Sequence, residues 1–281
     1  MQLLYKIAEQ EGINLKNASR LTGGDINDVF LMTTSTQKLV VKLNNKFIFP
    51  EMFKKEALAL HKLAETNTFR IPKVMRIGEL DNQAYLIMEH IESGVQTKDF
   101  WSNFGLNLAQ LHKHTAENFG WEDQNYIGSL VQHNERFSGS SEFYISQRLK
   151  PQIKEAEKNG FAFQNLDVFY KNVTEIIPKN EPPALIHGDL WSGNYMVDVH
   201  QKPVLIDPAI CFASREMDLA MMKLFGGFPD DLFQVYQTHY PLQNNWESRI
   251  ELYQLYYLLV HLNLFGESYL NRVTQIIKGY S

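Results

Sequence analysis

Apolar residues along the chain fall into short runs and helical stripes whose order predicts its elements. Leu3, Leu4, Ile7 and Ala8 mark one face of a short helix that Gly12 is placed to end. Val29-Phe30-Leu31-Met32 and Leu39-Val40-Val41 are strand-like runs. Phe53, Ala57, Leu60 and Ala64 recur at i, i+4, i+7 and i+11 with charge on the other side, which predicts an amphipathic helix. Pro72 breaks helix ahead of a strand through residues 74–77, and Tyr85-Leu86-Ile87-Met88 predicts another. Trp101, Phe104, Leu108 and Leu111 form a helical stripe with Thr97 or Asp99 as its cap. His112 and His114 follow it on different faces, so a satisfied or exposed histidine is expected there rather than a metal site. Residues 119–134 read as a loop rich in Gly, Asn and aromatics. Residues 143–158 are amphipathic, with Leu149 and Ile153 inward and Pro151 expected to bend or start a helical turn. Leu166, Phe169 or Tyr170, Val173 and Ile177 mark a helix closed by Pro178. A helix opening near Ser214 runs through Leu224 to a break at Gly226-Gly227-Phe228-Pro229, and two final helices are expected over 246–265 and 267–278.

Chemistry concentrates in residues 184–209. Ala184-Leu185-Ile186 is a short apolar run that ends in His187-Gly188-Asp189. Tyr195-Met196-Val197 and Val204-Leu205-Ile206 flank the polar turn 198–202, the pattern of a small hairpin. Asp189, Asn194 and Asp207 fall at the mouths of these strands. Phosphoryl transfer needs a carboxylate to take the proton of the attacking hydroxyl, and oxygen ligands to hold magnesium against the phosphates. Protein kinases arrange these as H-R-D-x-x-x-x-N followed by a metal-binding Asp. Asp189 and Asn194 keep that gap, and His187 stands where the motif has its His. Gly188 replaces the Arg and removes the docking point for an activation-loop phosphate. Turn chemistry would explain Asp189 or Asn194 singly, but not the whole set.

The first third of the chain offers nucleotide-binding groups. Gly23 and Gly24 permit positive φ and let backbone amides approach phosphates, although the match to G-x-G-x-x-G is poor and Asp25 adds a carboxylate. Lys42 ends a strand-like run, as a phosphate-binding lysine would, and Glu56 lies beside the apolar stripe of the next helix as its partner. Glu51 and Lys54 face solvent in that reading. A solvated lysine and a surface glutamate remain the plainer alternatives. The run ending at Met88 leads into Glu89-His90-Ile91, where the Glu89 C=O and the Ile91 N–H would read an adenine edge, unless this is an ordinary edge strand.

HGDLWSGN followed by D-P-A resembles the fructosamine kinase family (ketosamine-3-kinases), within the aminoglycoside-phosphotransferase-like kinases. GGDIN at 23–27, and the F-G, N-Y-I-G and Q-x-N elements within 119–134, are similar to family elements, the latter near the substrate side. The resemblance implies an α+β, bilobal, protein-kinase-like fold. Residues 1–91 would form the N-lobe, a small antiparallel sheet with one helix, and residues 92–281 a mostly helical C-lobe. It also implies an ATP- and Mg2+-dependent kinase that phosphorylates a sugar hydroxyl of a ketosamine and so promotes deglycation. Asp189 would be the base and Asn194 and Asp207 the metal ligands. Trp191 and His187 would lie on the acceptor side, with Asp218 as a strut under the catalytic loop. Arg215 would pair with Glu216 or Asp218, or guard the acceptor pocket.

Composition narrows this little further. The 281 residues are 44% hydrophobic and 21% charged, an ordinary globular profile, and a net charge of −5 argues against nucleic-acid binding. Cys211 is the single cysteine, which excludes an internal disulfide and fits a reducing cytoplasm. No apolar run nears the ~20 residues of a membrane span, and residues 1–12 lack the pattern of a signal peptide. An aminoglycoside or choline phosphotransferase is the competing enzyme, and an inactive kinase-shaped binding module the competing class. A protein kinase is disfavoured, since D-F-G, A-P-E and an activation segment are missing.

Overall fold

A computed structural model describes residues 1–21 and 26–281. The chain divides into two compact units, Met1–Gln96 with Met196–Asp207, and Thr97–Tyr195 with Pro208–Ser281. No helix among the described residues is long and apolar enough to cross a membrane.

The first unit is built on an antiparallel sheet of β1 (Asn17–Arg20), β2 (Asp28–Thr33), β3 (Lys38–Asn45), β4 (Val74–Leu80) and β5 (Gln83–Glu89), in the order β1-β2-β3-β5-β4. Side chains alternate across a strand, and both central strands are apolar on both faces. Leu39, Val41 and Leu43 of β3 and Tyr85 and Ile87 of β5 pack with Leu4 and Ile7 of α1 (Gln2–Gln10). Leu86 and Met88 face the other way, onto Phe53, Ala57 and Leu60 of α2 (Met52–Glu65). Lys42 shares this second face, because it is one residue out of step with Val41.

The hairpin of β9 (Tyr195–Val197) and β10 (Pro203–Leu205) is tied into the same unit. Gly94 N–H donates to Val197 C=O (2.8 Å), and Leu205 N–H donates to Arg70 C=O (3.1 Å). The Asp198 carboxylate is 1% exposed and accepts from Arg70 (2.7 Å), His200 N–H (2.9 Å) and Lys202 N–H (2.8 Å). Burial alone would raise this carboxyl, but the Arg70 guanidinium and those two amides hold it below its ordinary value. A depressed folded pKa gives stability that is present above the unfolded value of ~3.9 and lost as pH falls through the folded one. Arg70→Ala is therefore expected to cost ~1–3 kcal/mol near neutral pH, the penalty for taking a partner from a buried carboxylate. Urea unfolding across a pH series should show that difference shrink below about pH 4.

The second unit is mostly helical: α3 (Phe100–Leu111), α4 (Ser140–Phe143), α5 (Lys150–Lys158), α6 (Leu166–Ile176), α7 (Glu216–Leu224), α8 (Asp230–His239), α9 (Ile250–Phe265) and α10 (Leu270–Gly279). Two small sheets join them, β6 (Asn125–Ile127) with β7 (Leu130–Gln132), and β8 (Ala184–Ile186) with β11 (Cys211–Ala213). The core gathers around α9, whose residues 252–260 are all buried. Pro151 starts a helical turn, one of the two outcomes expected of it. A π-helical stretch, Tyr144–Leu149, joins α4 to α5, and Pro151 sits in the first turn of α5. Proline removes the N–H that the carbonyl four residues back would have used. That carbonyl, on Gln147, instead accepts from Arg148 at 3.0 Å. The sequence reading also missed α8, whose start is signalled by Pro229 followed by Asp230 and Asp231 in the first turn.

Candidate active site

In the first unit, Lys42, Glu56 and Asp207 come together. Lys42 Nζ donates to Glu56 Oε1 at 2.7 Å and to Asp207 Oδ1 in a very short contact. The Lys42 and Glu56 side chains are 7% and 11% exposed, and that of Asp207 is 44% exposed. Burial would lower the lysine's pKa, but the Asp207 and Glu56 carboxylates outweigh it and raise it, so the ammonium stays charged. Burial raises Glu56 against the pull of Lys42. Asp207 holds a left-handed backbone (φ 55°) at the end of the hairpin. Glu51 and Lys54 face solvent and pair with each other at 3.1 Å, as expected.

Glu89 and Ile91 lie at and just beyond the end of β5. The Glu89 N–H donates to Lys73 C=O (2.9 Å), and its carboxylate is held by Arg70 (2.6 Å). The Ile91 side chain is buried. Gly23, Gly24 and Asp25 lie outside the described residues.

In the second unit β8 delivers the segment His187 to Asn194, and the loop is closed by its own groups. Asn194 Nδ2 donates to the Asp189 carbonyl (2.8 Å) and carboxylate (3.0 Å). Asn194 N–H donates to Trp191 C=O (3.0 Å), and Trp191 N–H to Asp189 C=O (3.1 Å). The strut expected of Asp218 is present. This fully buried carboxylate accepts the His187 and Gly188 N–H groups, each at 2.8 Å, one on either oxygen. Gly188 has φ +82°, and a Cβ there would sit 2.1 Å from the Ala209 carbonyl oxygen, so the backbone at Ala209 leaves room only for glycine.

Two acceptor-side candidates differ in their surroundings. Trp191 is 39% exposed, and a Cβ on Gly193 would lie 2.3 Å from its ring, so the indole lies over a glycine. His187 is fully buried, and its Nδ1 accepts the Asp189 N–H at 3.3 Å. That placement makes it part of the loop's framework. Behind the loop, Gly227 packs so closely that a Cβ would meet Ser192 Cβ at 2.7 Å. The next residue, Phe228, enters an aromatic cluster with Trp101, Phe104 and Tyr195. The segment expected only as a break is thus a brace for the loop.

Residues 119–134 bury three of their side-chain amides. Asn125, Gln132 and Asn134 are 6%, 2% and 3% exposed. Asn125 donates to Ile210 C=O (2.9 Å) and Gln132 to Ala209 C=O (3.0 Å), which fixes the end of the D-P-A element and the residue before β11. Asn134 bonds Asn125 (2.8 Å) and receives Arg148 (2.8 Å), a fully buried guanidinium stacked on Phe143 (4.7 Å) and Tyr256 (5.4 Å). Arg215 makes neither expected pair. It binds Glu181 and the Tyr240 and Pro241 carbonyls, while Glu216 is taken by Arg249.

A family model described as fructosamine kinase matches residues 2–280. A protein of Enterococcus faecium with the provisional name ketoamine kinase is 37% identical over 265 residues, covering 92% of this chain and 94% of that one. A solved structure from Haemophilus somnus, provisionally a fructosamine-3-kinase, superposes with TM-score 0.90 at 28% identity, over 99% of this chain and 96% of that one. An aminoglycoside phosphotransferase in complex with AMP-PNP and hygromycin B shares the fold, with TM-score 0.63 at 15% identity, over 99% of this chain and 98% of that one.

Proposed function

The chain belongs to the fructosamine kinase family, and from that premise we propose that it transfers the γ-phosphoryl group of ATP to a sugar hydroxyl of a ketosamine. The observation that carries this reading is the joint retention of two local assemblies, Lys42–Glu56–Asp207 and the Asp189–Asn194 loop. A binding module would need neither a lysine charged by two carboxylates nor a carboxylate oriented by an amide.

Asp189 takes the proton of the attacking hydroxyl, and Asn194 turns its carboxylate for that task. Lys42 places a fixed positive charge on the phosphates, held by Glu56. Glu89 C=O and Ile91 N–H read the adenine edge, and Gly23 and Gly24 cover the phosphates. Among the described residues there is no cluster of three metal-ligating His, Cys, Asp or Glu side chains. That fits Mg2+, which takes few protein oxygens and completes its shell with phosphates and water. Asp207 supplies a carboxylate, and Asn194, its amide nitrogen engaged on Asp189, supplies its carbonyl oxygen. When bound, the ion offsets negative charge on the phosphates. His187 positions the loop rather than touching the sugar. Phosphorylation on the sugar makes the adduct labile, so the role is deglycation, and the compartment is the cytoplasm.

Magnesium-dependent ADP release over a panel of ketosamines, choline and aminoglycosides tests the assignment. Ketosamines should give the highest kcat/KM, and a preference for choline or an aminoglycoside would overturn it. Trp191 is the sugar platform, its flat face against the apolar side of the ring. Half exposed and stacked on a glycine, it contributes little to the core. Trp191→Ala should leave Tm within a few degrees and raise ketosamine KM about tenfold, the loss of ~1.4 kcal/mol of contact. An unchanged KM and kcat would remove Trp191 from the acceptor site.

A further inference from the structure

We propose that His112, oriented by Tyr236, positions the catalytic loop by fixing the rotation of the Asp218 carboxylate. The geometry stands on its own, and its catalytic meaning rests on the reading of Asp189 as the base. His112 ends α3 and is fully buried, with its Nε2 3.2 Å from Asp218 Oδ2 and its Nδ1 2.8 Å from the Tyr236 hydroxyl. Tyr236, on α8, is 1% exposed, and its ring meets the imidazole edge to face at 5.5 Å.

The role of each atom follows from its neighbours. Asp218 Oδ2 already accepts the His187 N–H, and a carboxylate oxygen facing Nε2 calls for a donor there, so Nε2 carries the imidazole hydrogen. Burial lowers the His112 pKa, which keeps the ring neutral and leaves Nδ1 an acceptor. The Tyr236 hydroxyl therefore donates to Nδ1, and its oxygen accepts from Arg215 at 3.3 Å. The result is one directed chain, Arg215 to Tyr236 to His112 to Asp218, ending on the His187 and Gly188 amides. Both of those amides lie just before Asp189, and each uses a different carboxylate oxygen. The plane of the carboxylate therefore dictates how the 187–188 peptide is turned. His112 supplies the third hydrogen bond that fixes the plane, and Tyr236 fixes His112. Bonds aligned in this way strengthen one another.

The test compares His112→Leu, His112→Gln and Tyr236→Phe in the full chain, assayed with ketosamine well below each Tm. His112→Leu should lower kcat about tenfold with both KM values unchanged, the effect of one lost buried hydrogen bond read at the transition state. His112→Gln, which returns an N–H near the Nε2 position, should recover most of that loss. Tyr236→Phe should fall between them, and adding it to His112→Leu should cost nothing more, because both act through Asp218. Imidazole 15N NMR, with the His112 signal identified by its absence in His112→Gln, should show the Nε2–H tautomer. An Nδ1–H tautomer, equal losses in Leu and Gln, or effects confined to KM would overturn the proposal. If His112→Leu fails to fold, Tyr236→Phe, which removes a single oxygen, carries the test, and wild-type kcat there overturns it. Asp189→Asn run in parallel separates the two readings. Retained turnover there refutes the base assignment, whereas loss there beside wild-type kcat in Tyr236→Phe refutes only the relay.

Discussion

Asp189→Asn is expected to cut turnover by ~10²–10⁴-fold, the usual worth of a general base. The amide keeps the size of the side chain and can still bond within the loop, so folding and Mg-ATP affinity should change little. The geometry also states what the mutation does to its neighbour. Asn194 Nδ2 donates to a carboxylate oxygen at 3.0 Å, and the amide oxygen of an asparagine can accept the same bond, so Asn194 keeps its place. Single-turnover measurement of phosphoryl transfer, together with a nucleotide titration, separates the step from binding. Activity within a factor of a few of the parent would remove Asp189 from the chemistry.

Gly188→Ala should have the largest effect on the fold of the second unit. An L side chain at φ +82° costs ~1–2 kcal/mol. Forcing a methyl carbon to 2.1 Å from the Ala209 carbonyl adds an overpacking cost of ~1–3 kcal/mol. The Ala209 N–H donates to His187 C=O at 2.9 Å, so this segment cannot retreat without losing that bond. Urea unfolding should show a loss of ~2–5 kcal/mol, and the variant that does fold should be nearly inactive. A neutral substitution would mean that the crossing at 188 and 209 is looser than its distances indicate. In protein kinases this position is an arginine that receives a phosphate, but here the backbone of Ala209 fills the space where such a side chain would begin.

How far the chain could be read before its structure depended on how locally each feature is encoded. Strands β3 and β5 were readable because a sheet covered on both faces leaves an unbroken apolar run, and the placement of Lys42 out of step with Val41 followed. The spacing of Asp189 and Asn194 was readable because the loop between them closes on its own groups. Glu56 was found by helical periodicity, and it bonds Lys42 as expected. His112 was expected to be satisfied or exposed, and it is satisfied, but by Asp218 and Tyr236, 106 and 124 positions away. Nothing in the neighbouring residues names such partners. For the same reason Asn125, Gln132 and Asn134 looked like loop residues. Their bonds run to Ile210 and Ala209, 85 and 77 positions distant in the first two cases, and only the folded chain shows them buried. Arg148 gave no signal either, since a charged residue on an amphipathic helix is ordinarily solvated. Helix α8 buries only Leu232 and Tyr236, too sparse a stripe to stand out.

The Asp218 grip also bears on when the protein becomes active during its folding. The loop from Asp189 to Asn194 closes on its own groups, but the two amides ahead of Asp189 are held from far away in the chain. These amides are captured by a residue about 30 positions later, which is itself steadied by a histidine more than 100 positions earlier. Contacts of such long range form late, because the closure entropy of the intervening chain must first be overcome. A nascent or partly unfolded chain therefore carries an Asp189 with no fixed direction, and it should not hydrolyse ATP even where the first unit has already formed. Onset of ATP turnover in a refolding experiment should coincide with the last phase of structure formation, which makes activity itself the marker of a completed second unit.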